Sequence, residues 1–166
     1  MTEQPTTVQP TLAQPTKGLP AWVQDLRYAT LTTFRADGLG VASPIWFAAH
    51  EGTLLIRTPT ATAKVRRINA DPRVELAPSD WKGRPVTGAL LEATAEVLPR
   101  QEAVALEPVL RARYGWQWNI VPMIPLPGVR SAHRGLPLRD RIALARAQEL
   151  WAESSILRIT PTPSSR

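Results

Sequence analysis

The sequence contains no cysteine, which excludes disulfide bonds, thiolate metal ligands and a cysteine nucleophile. Only two histidines are present, His50 and His133, and two isolated imidazoles do not make a zinc site by themselves. No apolar run reaches the roughly 18–20 residues that a helix needs to cross a bilayer. Residues 1–17 lack the basic flank and apolar centre of a secretion signal. We therefore expect a metal-free, cytoplasmic protein.

The common nucleotide-binding and catalytic patterns are also missing. Neither a Gly-x-Gly-x-x-Gly motif nor a Walker motif occurs, and predicted strands do not alternate with helices, so a Rossmann sheet is not expected. No paired carboxylates, Ser-His-Asp set or activated lysine stands out. The sequence therefore predicts no catalytic acid, base or nucleophile, and a cofactor would have to be held by another device.

Basic residues are in excess, with a formal net charge of +6. The segment 57–84 concentrates them, with seven basic residues and three acidic ones. Such an excess favours an anionic partner, which could be a phosphorylated cofactor, a nucleic acid or an anionic membrane surface. The alternative is that the arginines only solvate the surface.

The chain divides into a Pro-, Thr- and Gln-rich tail at 1–18, expected to be flexible, one domain at 19–160, and a polar tail at 161–166. Alternating apolar residues and turn signals predict strands at 29–34, 40–48, 53–58, 73–78, 87–98 and 155–160. Helical spacing predicts a short helix ending at Leu26, one between Thr60 or Thr62 and Asp71, and two more at 101–114 and 139–151. Pro108 is expected to kink the helix at 101–114 or to delay its start. The pattern predicts a mainly β protein with flanking helices, built as a six-stranded antiparallel barrel.

The segment from Arg57 to Lys64 has residues that could bind an anion. A predicted strand ends at Arg57 and Thr58, a loop follows, and Lys64 falls in the first turn of the next helix. A helix N-terminus attracts anions, whereas a lysine there opposes the helix dipole. A bound phosphate would offset both charges, and Arg57 could add a bidentate contact. The alternative is a solvated basic helix.

The same segment, Arg57-Thr58-x3-Thr62-x-Lys64-x-x-Arg67-Ile-x-x-Asp71-Pro-Arg-Val74, resembles the phosphate-binding signature of the split β-barrel flavin and deazaflavin oxidoreductases, the superfamily of pyridoxamine 5′-phosphate oxidase. That resemblance implies the FMN-binding split-barrel fold and a cofactor phosphate held by Arg57, Thr58, Thr62, Ala63, Lys64 and Arg67. The stretch 41–47 resembles the family strand that lies along the tricyclic ring of the cofactor. It implies ring contacts, largely through backbone atoms, at Ser43, Pro44, Ile45 and Trp46. Core packing is the alternative role for Trp46.

Within the superfamily, the stretches 32–38, 44–47 and 113–117 look more like the branch that uses the deazaflavin coenzyme F-420 than the FMN branch. This likeness implies hydride transfer from reduced F-420 to a conjugated alkene, quinone or tetrapyrrole, in a homodimer with two cofactor sites at its seam. The glutamate tail of F-420 would suit the cations Arg66, Arg67, Arg73, Lys82 and Arg84.

Three alternatives stay open: an FMN-dependent oxidase or reductase, a non-catalytic flavin or haem binder, and a nucleic-acid binder. The last is not expected, because aromatic residues do not interleave with the basic ones. Residues 120–153 depart from the family pattern. They predict a helical insertion that acts as a lid or dimer arm rather than as a membrane contact.

Overall fold

The structure is a computed structural model, and it describes residues 18–120, 137–146 and 153–163. Within these residues seven strands form one antiparallel sheet, ordered β2-β1-β5-β6-β7-β4-β3. The strands are β1 Tyr28–Phe34, β2 Gly40–Trp46, β3 Ala48–His50, β4 Thr53–Pro59, β5 Arg73–Pro78, β6 Leu91–Val97 and β7 Ser154–Pro161. The helices are α1 Trp22–Asp25, α2 Ala63–Ala70, α3 Arg100–Tyr114, α4 Gln117–Ile120 and α5 Leu138–Arg146. No helix in this described part of the chain is both long and apolar enough to span a bilayer.

The seventh strand corrects the expected number of six, because the strand predicted at 40–48 is divided at Phe47. The Phe47 side chain is completely buried, and its backbone carbonyl accepts a hydrogen bond from the Tyr114 hydroxyl. Before this residue, β2 pairs with β1; after it, β3 pairs with β4. The stretch therefore forms two strands with different partners, and a contact from Tyr114, distant in sequence, lies at the point of division.

The division at Phe47 also explains the curvature of the sheet. Strands β2 and β3 lie at opposite edges of the sheet order, yet a single residue joins them. Both edges must therefore approach each other, and β2 indeed contacts β4. The sheet is a curled half-barrel with flanking helices, consistent with the split-barrel type.

Alternating side chains fill the inside of this curl. On β1 the inward residues are Ala29, Leu31 and Thr33, and all three are fully buried. Each large apolar side chain buried there contributes about 1.5–3 kcal/mol. A second apolar cluster lies on the other face, where Leu55 and Ile156 pack against α3 and α4. Because both of its faces are covered, β4 is buried continuously through its centre.

Helix boundaries follow local signals. The Thr62 hydroxyl accepts the Val65 N–H at 3.4 Å, so Thr62 rather than Thr60 caps α2, and Asp71 ends it. Helix α3 is one continuous helix from Arg100 to Tyr114 although it contains Pro108, so the expected late start is wrong, while the alternative of a kink is not tested. Proline removes the hydrogen bond to the carbonyl four residues earlier, which belongs to the exposed Val104, where water can replace it.

The predicted strand at 87–98 is shorter in the structure, and the predicted insertion at 120–153 is only partly described. The strand expected from 87 begins at Leu91, because the preceding residues turn to meet α1, where the Trp22 indole donates to the Ala89 carbonyl at 2.8 Å. Residues 1–17, 121–136, 147–152 and 164–166 lie outside the described residues. Nearly all of the tail predicted at 1–18, most of the insertion at 120–153 and half of the polar tail at 161–166 are therefore not described. The lid or dimer-arm role of that insertion stays a prediction.

Replacement of Tyr114 by phenylalanine tests the contact that divides the strand. Tyr114→Phe leaves the buried Phe47 carbonyl without its hydroxyl donor, and we expect a loss of about 1–3 kcal/mol in the free energy of unfolding. Urea denaturation measures it, with Tyr28→Phe as the matched control on a half-buried tyrosine. Equal midpoints for Tyr114→Phe and the wild type would contradict this role of the hydroxyl.

Candidate functional site

Lys64 lies in the first turn of α2 and is half-buried. Within the described residues no hydrogen bond or ion pair reaches its ammonium group. Burial, and after it the charge of Arg67, lowers the pKa of Lys64 from 10.5 to about 8. The protein therefore holds a partly desolvated cation whose charge is not compensated by its described neighbours.

Arg67 lies one turn further along the same helix. Its Nε donates to the hydroxyl of the fully buried Thr33 at 2.7 Å, which fixes the guanidinium against the end of β1. Burial, followed by the charges of Arg35 and Arg66, lowers the pKa of Arg67. Lys64, Arg67, Arg66 and Arg35 thus form a chain of interacting like charges.

A cavity of about 690 Å³ lies between the outer face of α2 and the end of β1 with its following turn. We call it the arginine pocket. Its lining residues are Phe34, Arg35, Ala36, Gly38, Ala63, Arg66, Arg67, Ala70, Asp71 and Arg73. The single carboxylate of this lining, Asp71, already binds Arg73 at 2.7 Å. The pocket therefore carries a strong excess of positive charge in a concave surface, which suits an anion.

Arg57 does not belong to this group of charges. Its Nε donates to the Ser154 hydroxyl at 2.7 Å, and its guanidinium forms an ion pair with Glu107 at 2.9 Å. Desolvation lowers the pKa of Arg57, and Glu107 acts against that shift. Strand alternation explains the placement, because Arg57 shares the face of Leu55, which is covered by α3. The cation that acts on Lys64 is Arg67, whereas Arg57 is engaged by Glu107 and Ser154. A phosphate contact of Arg57 stays a prediction.

The other residues predicted to contact the phosphate lie in different environments. Thr58 is buried, the Thr62 hydroxyl caps α2, and Ala63 is exposed at the pocket wall. Thr62 and Ala63 adjoin Lys64 in sequence, whereas Thr58 faces the interior of the curl. Whether any of these residues contacts a phosphate stays a prediction.

The four predicted ring contacts on β2 alternate between its two faces. Ile45 is buried inside, Ser43 lies on the same face, and Pro44 is exposed on the other. Trp46 packs with its ring centroid 4.7 Å from that of Tyr114, as the core-packing alternative expects. One face of β2 therefore carries only some of these four side chains, and ring contacts at these positions stay a prediction.

Sequence reasoning missed Arg35 and Thr33 as parts of this site. The pocket face of α2, formed by Ala63, Arg66, Arg67 and Ala70, has the spacing of one helical face and could have been found from periodicity. Arg35 approaches it only because β1 ends beside α2. No local pattern in the sequence carries that information.

Comparison with known proteins decides the family. Residues 16–147 match the family described as pyridoxamine 5′-phosphate oxidase. The chain belongs to the pyridoxamine 5′-phosphate oxidase family. No curated protein matches it.

Solved structures agree with this family at the level of the fold. A conserved hypothetical protein from Mycobacterium tuberculosis is 18% identical, with a TM-score of 0.56 over 96% of this chain and 86% of that one. The haem storage protein HutZ from Vibrio cholerae is 14% identical, with a TM-score of 0.53 over 86% and 87% of the two chains. A structure named F-420 reductase is 24% identical, with a TM-score of 0.48 over 81% and 86%.

The pyridoxamine 5′-phosphate oxidase family is built on a flavin-binding fold and includes oxidoreductases. A phosphorylated cofactor of this kind fits the residues present. The uncompensated Lys64 ammonium and the neighbouring Arg67 offer charge-assisted donors to a phosphate. The negative charge of the phosphate would in turn offset the repulsion between them.

Replacement of Lys64 by methionine tests whether the ammonium is held at a cost to stability. Because the folded-state pKa lies below the unfolded one, the protonated lysine destabilises the fold below pH 8. We expect Lys64→Met to raise the free energy of unfolding of the ligand-free protein at pH 7 by on the order of 1–3 kcal/mol. The gain should fade as the pH rises from 8 towards 10.5, where the wild-type lysine loses its proton.

Urea denaturation at pH 7 and pH 10 measures this gain. Lys82→Met is the matched control, because Lys82 is an exposed lysine outside the cluster. A destabilised or unchanged Lys64→Met protein at pH 7 would contradict the account of Lys64.

Proposed function

We propose that the protein is an oxidoreductase that uses reduced coenzyme F-420 to deliver a hydride to an activated acceptor, such as a conjugated alkene, a quinone or a tetrapyrrole. The observation that carries the choice of cofactor is the arginine pocket beside Lys64. FMN has a single phosphate monoester, whereas F-420 continues beyond its phosphodiester into a glutamate tail. A basic cavity next to a phosphate position suits the more extended polyanion.

The phosphate of the cofactor is placed between Lys64 and Arg67. Lys64 stands in the first turn of α2, where free backbone N–H groups also favour an anion. Arg67 is oriented by Thr33, so its remaining N–H groups are available without a change of rotamer. A charge-assisted contact to each cation would then hold the phosphate and relieve the desolvated ammonium.

The bound deazaflavin would supply the hydride, and the described residues supply binding, orientation and exclusion of water. Tyr114 is not a candidate acid, because burial raises its pKa well above the usual range and its hydroxyl donates to Phe47. Nor is Arg57 placed for catalysis, since Glu107 and Ser154 engage it. Neither of these two described side chains is therefore placed to give a proton to the acceptor.

A homodimer belongs to this proposal. Strands β1 and β2 and the loop after β5 present an outer surface on which Trp81, Val86 and Leu90 are exposed. The Thr30 hydroxyl donates a hydrogen bond of 3.4 Å to the Gly83 carbonyl in this loop. A second copy of the chain would cover such an apolar surface.

Use of FMN is the second candidate, and the family match favours it, because the fold of this family generally binds that flavin. A single phosphate could be held by Lys64 and Arg67 alone. Haem binding, suggested by the likeness to HutZ, has less support. His50 is the histidine of the described residues, and it lies beside Glu51 at the end of β3, outside the arginine pocket.

Side-by-side spectroscopic titration with F-420 and FMN tests the proposal. We expect tighter binding of F-420, and a loss of one to two orders of magnitude in its affinity in Lys64→Ala, equivalent to about 1.5–3 kcal/mol for a charge-assisted contact. Arg100→Ala removes one positive charge at an exposed position outside the arginine pocket and should bind as the wild type does. Single-turnover oxidation of reduced F-420 by a quinone then reports on hydride transfer.

If the protein bound FMN tightly and did not bind F-420, the cofactor would be FMN and not F-420. If the wild type and Lys64→Ala bound either cofactor with equal affinity, the cofactor phosphate would not lie at Lys64.

A further inference from the structure

Arg57 is a largely buried cation near the end of β4, seven residues before Lys64 in the sequence. Its side chain is 11% exposed, and that of its ion-pair partner Glu107 is 22% exposed. An arginine and a glutamate that leave water together lose hydration, so a buried pair often stabilises a fold no more than apolar side chains of similar size do. General stability is therefore a weak reason for this pair, and its place in the fold suggests another.

The contacts of Arg57 join three elements of the fold at one point. Arg57 belongs to β4, Glu107 to α3, and Ser154 is the first residue of β7. The Arg57 Nε donates to the Ser154 hydroxyl at 2.7 Å, and a terminal N–H of the guanidinium donates to Glu107 at 2.9 Å. Glu107 also forms an ion pair with Arg111 on α3 at 2.9 Å, which holds its carboxylate in place. Arg57 thereby fixes the start of β7 against β4 and beneath α3.

The loop between β4 and α2 is bound to the same start of β7. The Thr60 N–H donates to the Glu153 carbonyl at 3.0 Å, and the Thr60 and Ser155 hydroxyls are hydrogen-bonded at 2.8 Å. Two residues further along the chain, Thr62 caps α2 through its hydroxyl. The first turn of α2, which contains Lys64, therefore follows a loop whose position depends on the start of β7.

We propose that Arg57 is a positioning residue for the phosphate site at Lys64. Held by Glu107, Arg57 fixes the start of β7, and the loop after β4 carries this placement to the first turn of α2. Arg57 itself does not touch the phosphate, in contrast to the contact predicted from the sequence. This inference rests on the proposed function, because it concerns the cofactor site at Lys64.

Replacement of Glu107 by glutamine distinguishes positioning from direct contact. Glutamine has nearly the shape of glutamate but no charge, so it holds the guanidinium less firmly. If Arg57 positions the site, Glu107→Gln should lower the affinity for the cofactor by about three- to tenfold in spectroscopic titrations with F-420 and FMN. If Arg57 bound the phosphate directly, its release from Glu107 would leave the affinity unchanged or raise it. Either of these two results would overturn the proposal.

The pKa of Lys64 in the ligand-free protein gives a second readout that needs no cofactor. Burial is the largest cause that lowers this pKa to about 8, so the pKa reports how closely the first turn of α2 is packed. We expect it to rise to about 8.5 or above in Glu107→Gln, measured by NMR titration of the lysine side chain. A purely structural ion pair would change the Tm and leave the Lys64 pKa of the folded protein at about 8, which would refute the positioning role.

Ser154→Ala carries the same test if Glu107→Gln does not fold. This variant keeps the ion pair of Arg57 with Glu107 and removes the hydroxyl that accepts from the Arg57 Nε. We expect a lower cofactor affinity and a higher Lys64 pKa, as in Glu107→Gln. If Ser154→Ala folds and changes neither quantity, the start of β7 does not place α2 and the proposal is wrong.

Glu102→Gln is the matched control, because Glu102 also lies on α3 and pairs with an arginine of the sheet, Arg158 on β7. Arg158 is four residues along β7 from Ser154, a distance of about 13 Å at the usual rise of a strand. We expect Glu102→Gln to keep the wild-type cofactor affinity and Lys64 pKa. If it changed both as much as Glu107→Gln does, the loss of any ion pair beneath α3 would explain the result, and Arg57 would have no particular role.

Failure of the proposed function has a different signature from failure of this inference. If neither F-420 nor FMN binds the wild type while Glu107→Gln raises the pKa of Lys64, the proposed cofactors are refuted and the positioning of Lys64 by Arg57 stands. If the wild type binds a cofactor and Glu107→Gln changes neither the affinity nor the pKa, the cofactor stands and the positioning role is refuted.

Discussion

The constraint on which this fold depends is the single residue that joins the two edges of the sheet. Strands β2 and β3 are neighbours in sequence and lie at opposite ends of the strand order, so the sheet can exist only as a curl. Phe47 fills the inside of that curl, and its carbonyl binds the Tyr114 hydroxyl from α3 on the outside. One junction thereby couples the interior core to the outer helix layer.

The same curvature determines where charge collects. Helix α2 connects β4 to β5 and contacts β1 and β6, so its outer face meets the end of β1. Arg67 is fixed there by Thr33, and its charge acts on Lys64 while Arg35 and Arg66 act on it. A scaffold with a well-packed interior thus supports a rim of cations that repel one another. Such an arrangement lowers stability in the absence of a ligand, and under the proposed function an incoming anion would relieve this repulsion.

The sequence predicted the parts of this structure that depend on local patterns. Alternation placed β1, β4 and β5, and the Thr62 cap with the Asp71-Pro72 stop placed α2. Contacts between distant residues were not predictable in this way. The division at Phe47 needs Tyr114, which is 67 residues away, and the orientation of Arg57 needs Glu107, which is 50 residues away. Arg57 is therefore engaged by Glu107 instead of facing Lys64, and the phosphate contacts predicted for both residues stay predictions.

The Lys64 ammonium is partly desolvated and is not compensated by its described neighbours, and the proposed function places the cofactor phosphate beside it. Titration of its side-chain carbon and nitrogen resonances by NMR, in the ligand-free protein and with saturating cofactor, measures this most directly. We expect a pKa of about 8 for Lys64 without ligand and a clear rise when the cofactor phosphate binds. An ordinary lysine pKa near 10.5 in the ligand-free protein, or a pKa that the cofactor leaves unchanged, would contradict it.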